Sequence, residues 1–204
     1  MAKLDRDLLT PGEVMALAAA PSRRAPTGIR NRALILLLAA TGLRIAEALA
    51  LRPKDVDIQQ GTVSVHRGKG GADRIVAVTM PEAADALARW TDRRAALGIN
   101  GRRRLFCTLP GGPMQSNYVR VTMRRLGKRA GIEKRIHPQG FRHFYSVMLA
   151  RSRTPVSAIQ ATLGHRSLAT TASYLARIAP EEHLEAARDG MARAWAESVT
   201  GRRG

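Results

Sequence analysis

Apolar positions recur at helical spacing along most of the chain, with one change of period near its middle. The densest run is Leu34-Ile35-Leu36-Leu37-Leu38, inside a helix expected over Arg30 to Ala40. It is apolar nearly all round, so the helix should be buried on every side. An earlier helix is expected to start at Pro11, with Thr10 as cap and Glu13 in the first turn. Pro21 to Gly28 reads as a loop. Thr41-Gly42 interrupts the apolar run, and Leu43 to Leu51 forms another helix ended by Pro53.

Residues 62–78 switch to alternation. Val63 and Val65 lie on one side of a glycine-rich turn and Ile75, Val76 and Val78 on the other, which predicts a hairpin. Helical spacing returns over Pro81 to Leu97, with Leu87 and Trp90 inward. Arg103 to Thr108 is expected as a short strand before a Pro-Gly-Gly-Pro loop. Ser116 should cap a helix that Gly131 terminates. Further helices are expected over Gln139 to Arg151, Pro155 to Leu163, Ser167 to Arg177 and Pro180 to Val199. Leu184, Met191 and Trp195 share one face of the last. The fold class is therefore α+β, mostly α-helical with a small antiparallel β-sheet.

Charge sharpens this picture. The chain has 34 Lys and Arg against 16 Asp and Glu, a formal net charge of +18 over 204 residues. Such an excess makes a polyanion the default partner. No apolar run approaches the length of a membrane span, and no signal peptide is visible at the start. Cys107 is the only cysteine, which excludes an intrachain disulfide and a cysteine-built zinc site. A reducing cytoplasm is the natural setting. Cys107 sits in an apolar run and reads as core.

The polar residues that stand out fall in separate boxes. Arg44 follows Thr41-Gly42-Leu43 at a helix start, and Lys69 stands between glycines at the hairpin tip. Arg142 lies between Phe141 and Phe144, where an unpaired charge would be costly. His165 follows Leu163-Gly164, and Tyr174 follows nine residues later. Arginines clamp phosphate through bidentate hydrogen bonds, tyrosine can act as a nucleophile, and lysine and histidine move protons. Each residue also has a plain reading: a solvated arginine, a loop lysine touching phosphate, a structural histidine, a half-buried tyrosine. No phosphate-binding loop spacing and no acidic magnesium cluster is present.

Taken in order, the boxes resemble the tyrosine recombinase (phage integrase) family. Thr41 to Leu49 looks like its first arginine box, Gly68-Lys69-Gly70 like its hairpin lysine, and Phe141-Arg142-His143, Leu163-Gly164-His165 and Tyr174 like the rest. The resemblance spans about Leu9 to Leu175. It implies a catalytic domain that recombines DNA at specific sites without metal, ATP or other cofactor. Arg44 and Arg142 would neutralise the scissile phosphate, Lys69 protonate the leaving 5′-oxygen, His165 bond the phosphate, and Tyr174 form a 3′-phosphotyrosine. Glu47 would orient Arg44, and His143 would be structural. Arg67, Lys69, Arg74 and Arg166 are the expected contacts to double-stranded DNA. Paired strand exchange implies a homo-oligomer, a tetramer on two sites, with the helix over 180–199 exchanged between subunits. Residues 1–8 are expected to be flexible, and the usual N-terminal DNA-clamping domain to be absent from this single-domain chain.

One position departs from the family. Three residues before Arg142, where His or Lys is usual, stands Gln139, which cannot transfer a proton but, in the catalytic set the resemblance implies, would still brace the phosphate by hydrogen bonding. His137 is expected on a different face. The alternative function is thus a catalytically impaired DNA-binding regulator on the same fold. A helix-turn-helix repressor or an RNA-binding protein would explain the charge but not the order of the boxes. A type IB topoisomerase would act without a specific site.

Overall fold

The computed structural model describes residues 8–66, 73–164, 167–178, 188–192 and 195. Contacts divide the chain into two compact units. One is Met1–Tyr145 with Thr162–Gly164, the other Ser146–Ala161 with His165–Gly204.

The first unit begins with α1 (Pro11–Ala19), capped as expected: Glu13 N–H donates to Thr10 Oγ1 (3.2 Å), and Thr10 N–H to the Glu13 carboxylate (2.8 Å). α2 (Pro26–Thr41) starts inside the segment expected as loop. Pro26 fits the first turn because its fixed φ suits a helix and its missing N–H is not needed there. Gly28 does not break the helix. It lets the helix approach the backbone of Ser22, whose carbonyl a Cβ at this position would meet at 2.1 Å. Leu34 to Leu38 are all buried, and α2 packs against α1 and α4 (Pro81–Ala96).

α3 (Ile45–Ala50) is followed by a 3-10 turn at Pro53–Asp55 and by a strand that the sequence reading missed, β1 (Val56–Asp57). Two residues are too few for alternation to register. β1 pairs antiparallel with β2 (Thr62–Val65), which pairs antiparallel with β3 (Arg74–Ala77) in the expected hairpin. Val63, Val65 and Val76 face the core.

Two expectations fail here for identifiable reasons. Arg103 to Thr108 forms no strand; it has only an isolated bridge between Cys107 and Pro113. Its backbone groups find individual partners instead. Leu105 N–H donates to the Leu51 carbonyl (2.7 Å), Trp90 Nε1 to the Leu105 carbonyl (2.8 Å), and Arg30 Nη1 to the Cys107 carbonyl (2.8 Å). With those groups satisfied, no ladder is required. Cys107 itself is buried.

The other is Ser116, which does not cap α5 (Ser116–Arg129): Gln115 is the flanking residue, and no side chain caps the helix. Met114 and Val119, both buried, occupy the two positions of a hydrophobic staple that sets the chain's entry angle. Gly131 ends α5 at φ +69°, as expected.

α6 (Pro138–Arg151) runs from the first unit into the second, as does α7 (Val156–Leu163) in reverse. The second unit also holds α8 (Leu168–Ile178), with Val147, Ile159 and Leu175 buried and Arg153 paired with Asp189 at 2.5 Å. Of the expected last helix, 188–192 and Trp195 are helical, and Met191 and Trp195 are exposed. The remainder of that helix, Leu184 included, lies outside the described residues, as does nearly all of the segment 1–8. No described helix is long and apolar enough to cross a membrane.

Gly42 should be the least replaceable turn residue. Its φ is +61°, and a Cβ would stand 2.5 Å from the Tyr145 ring, whereas Gly98 has φ +68° with nothing within 4 Å. Gly98→Ala should cost only the left-handed strain, about 1–2 kcal/mol. Gly42→Ala should add overpacking of about 1–3 kcal/mol. Urea midpoints of the two variants check this; equal losses would contradict the ring contact.

Candidate active site

The site grows from the end of α2. Thr41 donates from Oγ1 to the Leu37 carbonyl (2.6 Å), and Gly42 turns left-handed while its N–H closes on Leu38 (3.0 Å). Leu43 is buried, so the chain is anchored just before Arg44. Arg44 then adopts an extended backbone as the flanking residue of α3, with its side chain 45% exposed. A cation at a helix start opposes the helix dipole. Glu47 offsets it: one carboxylate oxygen accepts the Arg44 N–H (2.9 Å), and the other lies 3.4 Å from Arg44 Nη1.

Glu47 is held mainly from elsewhere. Arg74, the first residue of β3, forks onto both carboxylate oxygens at 3.1 and 3.0 Å, and its Nε donates to the Thr162 carbonyl (2.9 Å). The sequence reading gave Glu47 to Arg44 and Arg74 to the DNA. In the fold Arg74 is nearly buried and bridges α3 to the end of α7. Burial pushes the Glu47 carboxyl up. The Arg74 hydrogen bonds, the Arg44 N–H and both positive charges outweigh that and hold it below its ordinary value. Nothing in the sequence marks a pair 27 residues apart.

Arg142 supplies the second anchor. It is 2% exposed, and donates from Nη1 to the Gly42 carbonyl (2.9 Å) and from Nη2 to the Leu163 carbonyl (2.7 Å). Gly42 lies two residues before Arg44, and Leu163 two before His165. Tyr145, one turn further along α6, lays its ring against Gly42 and hydrogen-bonds the Thr162 side chain. Burial pushes its hydroxyl pKa up, only partly offset by that bond. Links therefore close into a ring: Arg142 to Gly42, the short chain to Arg44 and Glu47, Glu47 to Arg74, Arg74 to Thr162, Leu163 back to Arg142.

The hairpin tip with Arg67 and Lys69 lies outside the described residues, but both of its roots are fixed. His66 Nδ1 is 2.8 Å from Asp73 Oδ2 across the base, and His66 Nε2 is 3.6 Å from Asp55. The Asp73 carboxylate raises the His66 pKa. His165 and Arg166 also lie outside the described residues, as does the Tyr174 side chain, although its backbone belongs to α8. Gln139 is exposed one turn before Arg142. It lines an open cleft of about 380 Å³ with Ile45, Arg120, Arg135, His137 and Pro138. His137, expected on another face, shares this cleft, and its Nδ1 accepts the Gly140 N–H (3.2 Å) to cap α6. His143 is half-buried on α6. Among the described residues no group of three His, Cys, Asp or Glu could hold a metal ion.

The sequence pattern of the phage integrase family matches residues 7–180. Tyrosine recombinase XerD of Ralstonia nicotianae is 37% identical over 168 residues, 81% of this chain and 54% of its own length. Tyrosine recombinase XerC of Xanthomonas campestris pv. campestris is 34% identical over 167 residues, 82% of this chain and 50% of its own. The crystal structure of XerA recombinase superposes with a TM-score of 0.73 at 33% identity, covering 82% of this chain and 57% of that one. XerH site-specific recombinase, bound to its difH substrate in a pre-cleavage complex, gives 0.68 at 27% identity over 84% of this chain and 49% of that one. The chain spans about half the length of the curated relatives it matches. Its motif order, its α+β fold and these relatives agree: the chain belongs to the phage integrase family of tyrosine recombinases.

Proposed function

We propose that this chain is the catalytic domain of a site-specific DNA recombinase, acting on double-stranded DNA in the cytoplasm. Tyr174 attacks a backbone phosphorus, the bond to the 5′-oxygen breaks, and the 3′ end is held as a phosphotyrosine. One proton leaves the tyrosine and one, from Lys69, joins the 5′-oxygen. Attack by a 5′-hydroxyl of a partner strand reverses these bonds and frees the enzyme, so no ATP or metal is consumed. Arg44 and Arg142 balance the charge on the non-bridging oxygens, and His165 hydrogen-bonds the phosphate. Exchange between two DNA sites calls for an assembly of four subunits, with the segment over 180–199 reaching a neighbour.

The observation that carries this reading is Arg142. A buried guanidinium is fixed at two points by the carbonyls of Gly42 and Leu163, which orient it within this unit. The same bonds gather the first arginine box and the chain leading into His165. The regulator reading draws on Gln139 alone, since a missing acid–base group removes roughly 10²–10⁴-fold in rate.

Trapping separates the two. Incubated with nicked duplex from its own genomic neighbourhood and then denatured, the protein should carry DNA covalently, and Tyr174→Phe should carry none. Tight binding with no adduct in either form, unrestored by Gln139→His, would favour the regulator.

Glu47 is a positioning residue in this scheme. Glu47→Ala strands Arg74 in a nearly buried place and should cost about 1–3 kcal/mol of stability, with adduct formation falling further than DNA affinity. Because the folded carboxyl is held below its unfolded value, its contribution is present above the unfolded pKa and lost as pH falls through the folded one. Acid titration of stability should therefore be shallower in Glu47→Gln than in the wild type. Superimposable acid limbs would remove Glu47 from this role.

A further inference from the structure

Val65 and Arg74 form the last backbone pair of the β2–β3 ladder. The next residues on the two arms, His66 and Asp73, continue it through their side chains, with His66 Nδ1 2.8 Å from Asp73 Oδ2. On the other side of the ring, Nε2 lies 3.6 Å from Asp55 Oδ1, an ion-pair distance. Asp55 is itself fixed, because its second oxygen accepts the Arg52 N–H (2.8 Å) in the 3-10 turn that leads into β1. Both ring nitrogens thus face carboxylates. A neutral imidazole has one donor nitrogen and one acceptor, so it serves one carboxylate and sets a lone pair against the other. Only the imidazolium donates to both. In that form the ring ties the end of β2 to the start of β3 and to the turn before β1. The pair closes the segment 67–72, in which Gly68, Gly70 and Gly71 bring no side chains to pack.

We propose that His66 is a positioning residue for Lys69 that works only when protonated: its imidazolium clasps the two arms of the hairpin and so presents the lysine to the leaving 5′-oxygen. The proposal rests on the reading of this chain as a recombinase with Lys69 as the acid. It adds a residue with no chemical step of its own, and it makes strand cleavage sensitive to pH near neutrality. The charges around the ring favour the clasp. Asp73 raises the His66 pKa by its hydrogen bond and its charge, Asp55 adds to this, and Lys54 opposes it. His66 also lines an open cleft of about 250 Å³ beside α3, where Glu47, Arg52 and Arg104 are the remaining charged groups. With the folded pKa above the ordinary value, the clasp is fully formed below the ordinary histidine pKa and is lost as pH rises through the raised one. The side chain is 60% exposed, so the ring exchanges its proton freely with solvent.

Single-turnover trapping over a pH series, with DNA saturating the protein, tests this. The trapped strand first locates the scissile phosphate in the nicked duplex. A second duplex then carries sulfur in place of the 5′-oxygen at that bond. The thiolate leaves without taking a proton, so this substrate does not need the acid. On the oxygen substrate the wild type should form adduct about tenfold faster than His66→Gln at about pH 5.5, a part of the roughly 10²–10⁴-fold that a general acid contributes. The ratio should fall toward one by about pH 8.5, across the range in which histidine titrates. His66→Arg keeps a charge and separate donors, and should hold the advantage over His66→Gln throughout the series. Asp73→Asn should lose it as His66→Gln does. On the sulfur substrate the wild type and His66→Gln should react equally at every pH. A ratio that does not change with pH, or a His66→Gln defect that persists on sulfur, would overturn the proposal and leave the recombinase reading standing. A wild type that forms no adduct overturns both. His66 and Asp73 are each more than half exposed, so the variants should fold like the wild type.

Discussion

One constraint organises this site: each buried arginine must be given partners, and the kind of partner decides what the arginine can do. Arg142 and Arg74 are both almost inaccessible to water. Leaving either unpaired would cost several kcal/mol. Arg74 is met by a carboxylate, which orients it and cancels its charge. Arg142 is met at Gly42 and Leu163 by carbonyl oxygens, which orient it at two points. The first arrangement is a strut. The second ties the end of α2 to the end of α7 through one side chain. Arginine fits both tasks because its planar fork reaches two acceptors at once. A lysine would reach one.

The ring of contacts also explains why the left-handed turn at Gly42 matters beyond its own geometry. The glycine ends α2, presents a carbonyl to Arg142, and accepts the Tyr145 ring where a side chain would stand. A residue confined to negative φ could do none of the three together. Tyr145 and Arg142, three apart on α6, thus hold the same glycine from two directions, and both also reach the end of α7. Rigidity follows from redundancy: each segment of the site is tied at more than one point.

Much of this was legible in the sequence. The buried α2, the hairpin and the cap at Thr10 follow from local pattern. So does the order of the boxes, because Arg44, Arg142 and Tyr174 each sit inside a distinctive local run. What could not be read was partnership over distance. Glu47 three residues from Arg44 is a pairing that helix spacing suggests, whereas its fork with Arg74 depends on where β3 lies against α3. The false strand near Cys107 has the same origin: apolar residues mark burial, but whether their backbone pairs in a ladder or with Trp90 and Arg30 is a tertiary matter. The neighbouring placement of His137 and Gln139 escaped notice because Pro138 between them is the first residue of α6. The chain enters the helix there, and the spacing rule for a helical face does not yet apply.

The two clefts beside α3 show how charge is divided across the molecule. A net charge of +18 would say only that a polyanion is a fitting partner. The arrangement says where it fits. On the hairpin side, His66, Asp55 and Asp73 brace the root of the glycine-rich tip, and Glu47 and Asp55 neutralise the cleft beneath it. Basic residues there serve the fold first. On the α6 side the arginines have no such employment, and the carboxylates that would quench them are missing from the cleft wall. A polyanion approaching this unit therefore meets a neutralised side and an unneutralised one. Arg44 stands between them, half exposed, fixed by its backbone and lightly held by its side chain. An arginine held that way can move its guanidinium without first breaking a strong ion pair.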